Sequence, residues 1–149
     1  MNEEELRQIA ANVRLVIERL GPLSGMDFGL DRESVEWVEG FIERRRTPDA
    51  EQVDGLVSTL GSYLGACVIA ATGGSWHKSD DHGWGVLLPN GGTAFPFAKV
   101  RKQLRDGVAE GESIAGFYRV VVDFIATGKM QEASRATADP APRATAAGE

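Results

Sequence analysis

Apolar residues recur at three- and four-residue steps near the start of the chain, where Leu6, Ile9, Ala10, Val13, Val16, Ile17 and Leu20 fall on one face of a helix. Glu3, Glu4 and Glu5 put negative charge at its positive end, and Gly21-Pro22 is the expected stop. Residues 23–29, rich in glycine and without a period, read as a loop. Asp31 predicts the N-cap of a second helix, with Glu33 in the first turn and Val35, Val38, Phe41 and Ile42 as its apolar face. Trp37 lies near that face, and Arg44-Arg45-Arg46 closes the helix with positive charge at its negative end.

Thr47-Pro48-Asp49 predicts a third helix from a capping hydroxyl, a proline at the first helical position and an acid in the first turn. Val53, Leu56, Val57, Leu60, Leu64, Cys67 and Val68 give it a broad apolar face. Residues 63–71 are apolar nearly all round, which predicts a central buried helix. Gly61 and Gly65 stand four apart on one stripe, and each costs about 1 kcal/mol of helix propensity relative to alanine. The expected compensation is close approach of another element to that bare backbone.

Beyond Gly73-Gly74 the period changes from 3.6 to 2. Trp76 and Lys78, then Trp84, Val86 and Leu88, then Thr93, Phe95 and Phe97 alternate as strands with one buried face do, which predicts a three-stranded antiparallel meander. Its first turn spans residues 79–83, and its second is Pro89-Asn90-Gly91-Gly92. Pro96 has no ladder donor, so strand three lies at an edge or ends there. Val100 and Leu104 mark a short helix stopping at Asp106-Gly107, and Glu112 and Ser113 start a last one. Ile114, Phe117, Tyr118, Val121, Val122 and Ile125 form that helix's stripe before Gly128 closes it. The fold class is therefore α+β: a helical layer of four to five helices packed on a three-stranded antiparallel β-meander. Residues 1–128 form one domain, and residues 129–149, alanine-, proline- and threonine-rich, are expected to be a disordered tail.

Composition narrows the functional classes. A formal net charge of −6 opposes the phosphate backbone, so nucleic acid is not the expected partner. Two basic clusters, Arg44-Arg45-Arg46 and the set Lys99, Arg101, Lys102 and Arg105, read as compensation of helix ends or as a solvated face. The acidic opening leads straight into an amphipathic pattern, whereas a secretory signal begins with positive charge. The longest apolar-rich stretch, residues 63–72, is half the length a bilayer span needs. The expectation is a cytoplasmic protein without a membrane partner. Cys67, the single cysteine, reads as a small buried hydrophobe.

Both histidines, two carboxylates and two tryptophans concentrate in residues 75–84, making this segment the first place to look for chemistry. His77, Asp80 or Asp81, and His82 are zinc-ligand types, but their spacing matches no standard motif. The expected construction has Asp80 and Asp81 building the turn and the histidines solvated, with no metal and no cofactor. No nucleophile elbow or phosphate-binding glycine loop is present, so no catalytic residue is assigned. Trp76, Trp84, Phe95 and Phe97 are expected on one face of the meander, as core or as a binding surface for a partner. Trp76, His77, Asp81, His82, Trp84, Phe95 and Phe97 are the candidate binding residues.

The succession Gly61-Ser62-Tyr63-Leu64-Gly65, Gly73-Gly74-Ser75-Trp76, Gly83-Trp84-Gly85-Val86 and Phe95-Pro96-Phe97-Ala98-Lys99-Val100 resembles a family of small bacterial domains of unknown function. The likeness covers residues 31–118, rests on structural residues and transfers no catalytic ones. Similar domains look like immunity proteins, which neutralise a toxin by binding it. The function expected is a non-catalytic bacterial protein-binding domain whose acidic surface meets a basic partner. The rival is a small-molecule-binding domain or weak enzyme with a pocket beside the meander and His77, Asp81 or His82 at its mouth. A third expectation is self-association through the edge of strand three.

Overall fold

Capping chemistry and apolar period together set the element boundaries in a computed structural model that describes residues 2–128. The expected tail, residues 129–149, lies outside them. The order is α1 (Glu3–Ser24), α2 (Arg32–Arg44), α3 (Ala50–Thr72), β1 (Ser75–Ser79), β2 (Gly83–Leu87), β3 (Thr93–Ala94), α4 (Pro96–Asp106), a 3₁₀ turn (Val108–Glu110) and α5 (Ile114–Thr127). This is the expected α+β architecture, five helices with a three-stranded antiparallel sheet in the order β1-β2-β3.

Asp31 caps α2 as its sequence requires, its Oδ1 accepting from Ser34 N at 2.9 Å. Ser113 does the same for α5, accepting from Gly116 N at 2.9 Å. Two boundaries differ from expectation. Helix α1 passes through Gly21-Pro22 and ends at Gly25, whose φ of +68° suits a glycine. Pro22 falls in the last turn, where Ser24 Oγ donates to Gly21 O at 2.7 Å and ties the frayed end together. Helix α3 starts two residues later than the threonine cap implies. Asp49 Oδ1 accepts from Glu51 N and Gln52 N, and Thr47 Oγ1 instead accepts from Asp49 N. A carboxylate caps the exposed amides better than a hydroxyl because it also carries charge against the helix dipole.

Helix α3 is the centre of the molecule, with α1, α4, α5 and the sheet packed round it and α2 laid on α4 and α5. By length and composition it could cross a membrane, but residues 60–65, Cys67 and Val68 are buried among its neighbours, as in a core helix. Tyr63, Leu64 and Val68 meet Val35, Val38 and Ile42 of α2, Val86 of β2, Val100 of α4 and Ile114 of α5 in one cluster, all fully buried. A side chain of this size is worth roughly 1.5–3 kcal/mol when taken out of water, so this cluster is the main source of stability.

The close approach predicted at the two glycines is what the fold uses. A methyl group on Gly61 would collide with the ring of Phe97, and one on Gly65 with the indole of Trp76. The sheet and the first turn of α4 thus seat rings into two notches one helical turn apart.

In the sheet, Trp76 faces Val86, Lys78 faces Trp84, and Val86 faces Ala94 across the ladder. Opposed residues share a face, so both indoles lie on the side turned to the helices, in edge-to-face contact at 6.4 Å. The third strand differs from the expected register. Ala94, not Thr93 or Phe95, points inward, and the strand stops after two residues. Pro96 takes the first position of α4, where its fixed φ suits the helix and its missing N–H is not needed. Phe95 is therefore the N-cap residue, and Phe97 belongs to a helix.

Candidate functional site

The four aromatics expected on one face of the meander divide between its two sides. Trp76 and Phe97 meet as a tilted pair, 5.8 Å between ring centres, against α3, with Trp84 edge-on to Trp76. Phe95 lies on the opposite side, its ring against Gly85 and 5.2 Å from His82. Register is the physical reason, because a one-residue shift in strand three exchanges its faces. All four rings are partly buried.

His77, on β1, is exposed, and so is the turn holding Asp80, Asp81 and His82. It is closed by Ser79, whose Oγ accepts from His82 N at 3.0 Å, with Gly83 at φ +71°, so the hydroxyl takes the role expected of the aspartates. Among the described residues, no three of histidine, cysteine, aspartate and glutamate gather closely enough to hold a metal ion.

Trp84 is tied down from outside the sheet. Its Nε1 donates to Glu5 Oε1 at 2.9 Å, and Lys78 Nζ donates to the same oxygen at 2.8 Å. These hydrogen bonds, Lys78 first and then Trp84, hold the Glu5 carboxyl below its ordinary value. Cys67 is buried as the sequence implies, and burial pushes its thiol up to about 12, so it carries no nucleophile at neutral pH. The nearby Tyr63 donates to Gly29 O at 2.6 Å, and burial raises its phenol as well.

A second aromatic group lies on α2. Trp37 and Phe41 stack at 5.8 Å, and Phe28 meets Trp37 edge-on at 6.0 Å. Arg45 lies over the Phe41 ring at 4.5 Å and Arg44 over Trp37 at 5.9 Å. Both rings are partly exposed and both arginines exposed. The four-residue steps Trp37, Phe41 and Arg45 were a readable signal for this ladder, since such residues are neighbours on a helix surface. The sequence places Phe41 on the apolar face with Trp37 beside it, and partial exposure of Trp37 is expected to add to a binding surface.

Behind α2 a polar clamp fixes α5. Gln103, fully buried, donates to Glu39 O at 3.1 Å and Glu43 Oε2 at 2.9 Å and accepts from Ile114 N at 3.0 Å. Glu39 Oε1 accepts from Ser113 Oγ and from Ala115 N, and Glu43 Oε2 also accepts from Val108 N. These bonds tie the side chains to one another and to the backbone of α2, the 3₁₀ turn and α5, which marks the cluster as structural.

The two basic clusters meet. Arg46 Nε donates to Leu104 O at 3.2 Å and its Nη2 to Arg105 O at 3.1 Å, capping the end of α4. Beside this junction opens a groove of about 590 Å³, floored by Pro48, Val53 and Leu104 and rimmed by Arg46, Arg101 and Arg105. A smaller hollow of about 230 Å³ lies between Pro89, Asn90 and the end of α5 at Phe124 and Ile125. Comparison with known proteins finds no matching family model, no similar curated protein and no similar solved structure.

Proposed function

We propose that the chain is a non-catalytic protein-binding domain of the bacterial cytoplasm, immunity-like in that binding itself is the activity. The observation that carries this reading is the outward ladder of α2, Trp37 and Phe41 stacked on each other with Arg44 and Arg45 over the rings. Tryptophan and arginine are the residues that most often dominate binding energy at protein interfaces. Here the stack holds them in place before any partner arrives, which lowers the ordering cost of association. Trp76 and Trp84 of the meander and Phe97 of α4 are spent on internal packing, while His77, Asp81, His82 and Phe95 remain on the solvent side of the sheet as a secondary contact.

Net charge favours a basic partner, but a partner meets a local surface, and charges further off than about 8–10 Å are screened. The α2 ladder carries arginine, so the contact proposed for it is acidic. The rival reading, a pocket between meander and helices, has less room because the Trp76 indole fills the notch at Gly65.

The test is capture from the native host at low salt, with the wild-type chain set beside Trp37→Ala and Arg45→Glu chains shown folded by circular dichroism. A protein retained by wild type and lost by both variants supports the reading. One held equally by all three, or none at all, overturns it. Arg45 is exposed, so its variant reports on binding even if loss of Trp37 disturbs the fold.

A further inference from the structure

Arg101 and Lys102 are not explained by the helix they occupy. Compensation of a helix end accounts for Arg46, whose guanidinium donates to the carbonyls of Leu104 and Arg105, and for Arg105, which stands in the last turn of α4. It does not account for Arg101 and Lys102, about a turn earlier, in the middle of a helix that spans Pro96–Asp106. The groove accounts for Arg101, which lines it. Arg101 and Arg105 form one wall, Arg46 the end, and Val53 and Leu104 an apolar floor. Arg44 and Arg45 stand exposed at the end of α2, and Lys102 stands exposed in the middle of α4. The opposing charges are Asp54, 2.9 Å from Arg101, and Asp106, 2.8 Å from Arg105, with Asp49 capping α3 nearby. Both ion pairs are solvent-exposed and screened by water, so an incoming carboxylate competes with Asp54 and Asp106 for the same arginines.

The volume, about 590 Å³, lies in the range that accommodates a ligand of a few side chains. An apolar floor beneath a cationic rim suits a group that is acidic at its edges and apolar at its centre. We infer that this groove docks an acidic peptide segment of the partner, with carboxylates on Arg46, Arg101 and Arg105 and an apolar side chain on Val53 and Leu104. The inference rests on the chain being a protein-binding domain and names the chemistry of what it binds. A long polyphosphate fits less well, because the formal charge of −6 repels it beyond the groove, whereas a short segment feels only the local field.

The experiment is a titration of the isotope-labelled full chain, followed by amide resonances, with a short probe peptide alternating glutamate and leucine. A lysine–leucine counterpart and a single-stranded RNA of equal length serve as comparisons. The expected result is that the acidic peptide shifts amides of residues 46–53 and 101–105, that the lysine peptide shifts none of these, and that added salt weakens the effect. The double substitution Arg101→Ala with Arg105→Ala, both exposed side chains, weakens binding about tenfold or more while circular dichroism shows the chain still folded. Shifts by RNA but not by the acidic peptide, shifts confined to other regions, or no shifts overturn the inference. The captured partner separates this from the broader reading. If it still binds the Arg101→Ala, Arg105→Ala chain but not the Trp37→Ala chain, the groove is wrong and the domain reading stands; a partner indifferent to all of these substitutions sinks both.

Discussion

Gly61 and Gly65 each forgo about 1 kcal/mol of helix propensity, while the rings they admit return up to about 1.5–3 kcal/mol apiece when removed from water. The balance makes these glycines structural necessities, and it gives a sharp prediction. Gly65→Ala places a methyl 2.7 Å from Trp76 Cζ2 and should destabilise the chain by about 1–3 kcal/mol. Gly55→Ala on the same helix meets nothing within 4 Å and should stabilise it by about 0.5–1 kcal/mol. Urea unfolding of the two variants checks this, and a shift of the same sign for both would refute the notch. That two helical glycines four apart await a neighbour was legible from spacing. Which rings arrive was not, because Thr93, Phe95 and Phe97 alternate as a strand would, and Pro96 is equally at home at a sheet edge or a helix start. Asn12 was also missed as a core residue; it sits buried on α1 and donates to Ser58 and Ser62 of α3. An amide beside an apolar stripe shows no sign of its partners until the helices are paired.

Helix ends that depend on their own side chains were readable, as Asp31 and Ser113 show, whereas ends that depend on other elements were not. Helix α5 takes part of its N-terminal capping from Glu39 of α2, and the start of α1 is strapped to the sheet by Glu5. The strap makes a pH prediction. The folded carboxyl of Glu5 is depressed, so its contribution is complete above the ordinary unfolded glutamate value of about 4.3 and is lost as pH falls through the lower folded value. The indole N–H resonance of Trp84 should therefore move on acidification with a midpoint below the usual glutamate range. In Glu5→Gln that transition should be missing; a Trp84 titration unchanged by the substitution would show that another group drives it. Thr47 and Asp49 illustrate the remaining ambiguity, since both residue types can cap and the choice falls to the carboxylate, which also opposes the helix dipole.

Taken as a whole, the chain is organised around one helix, and its opening should follow that order. Amides of residues 60–68 are predicted to exchange with solvent only through global unfolding, while β3 and the turn at residues 80–82 exchange through local opening. Hydrogen exchange under native conditions measures this, and equal protection of turn and α3 would contradict it. Net charge is a sum that any reader of the sequence can take. Its map, with arginines gathered at one end of an acidic molecule, exists only after α2 and α4 meet. The spacing of the two notches on α3 has a last consequence for how such a chain can change over generations. Each residue inserted or deleted between them would turn one notch by about 100° relative to the other, because the helix makes a turn every 3.6 residues. Ribbon and following helix could then no longer both be seated. Lineages of this domain should vary freely in length around residues 80–82 and not at all between 61 and 65.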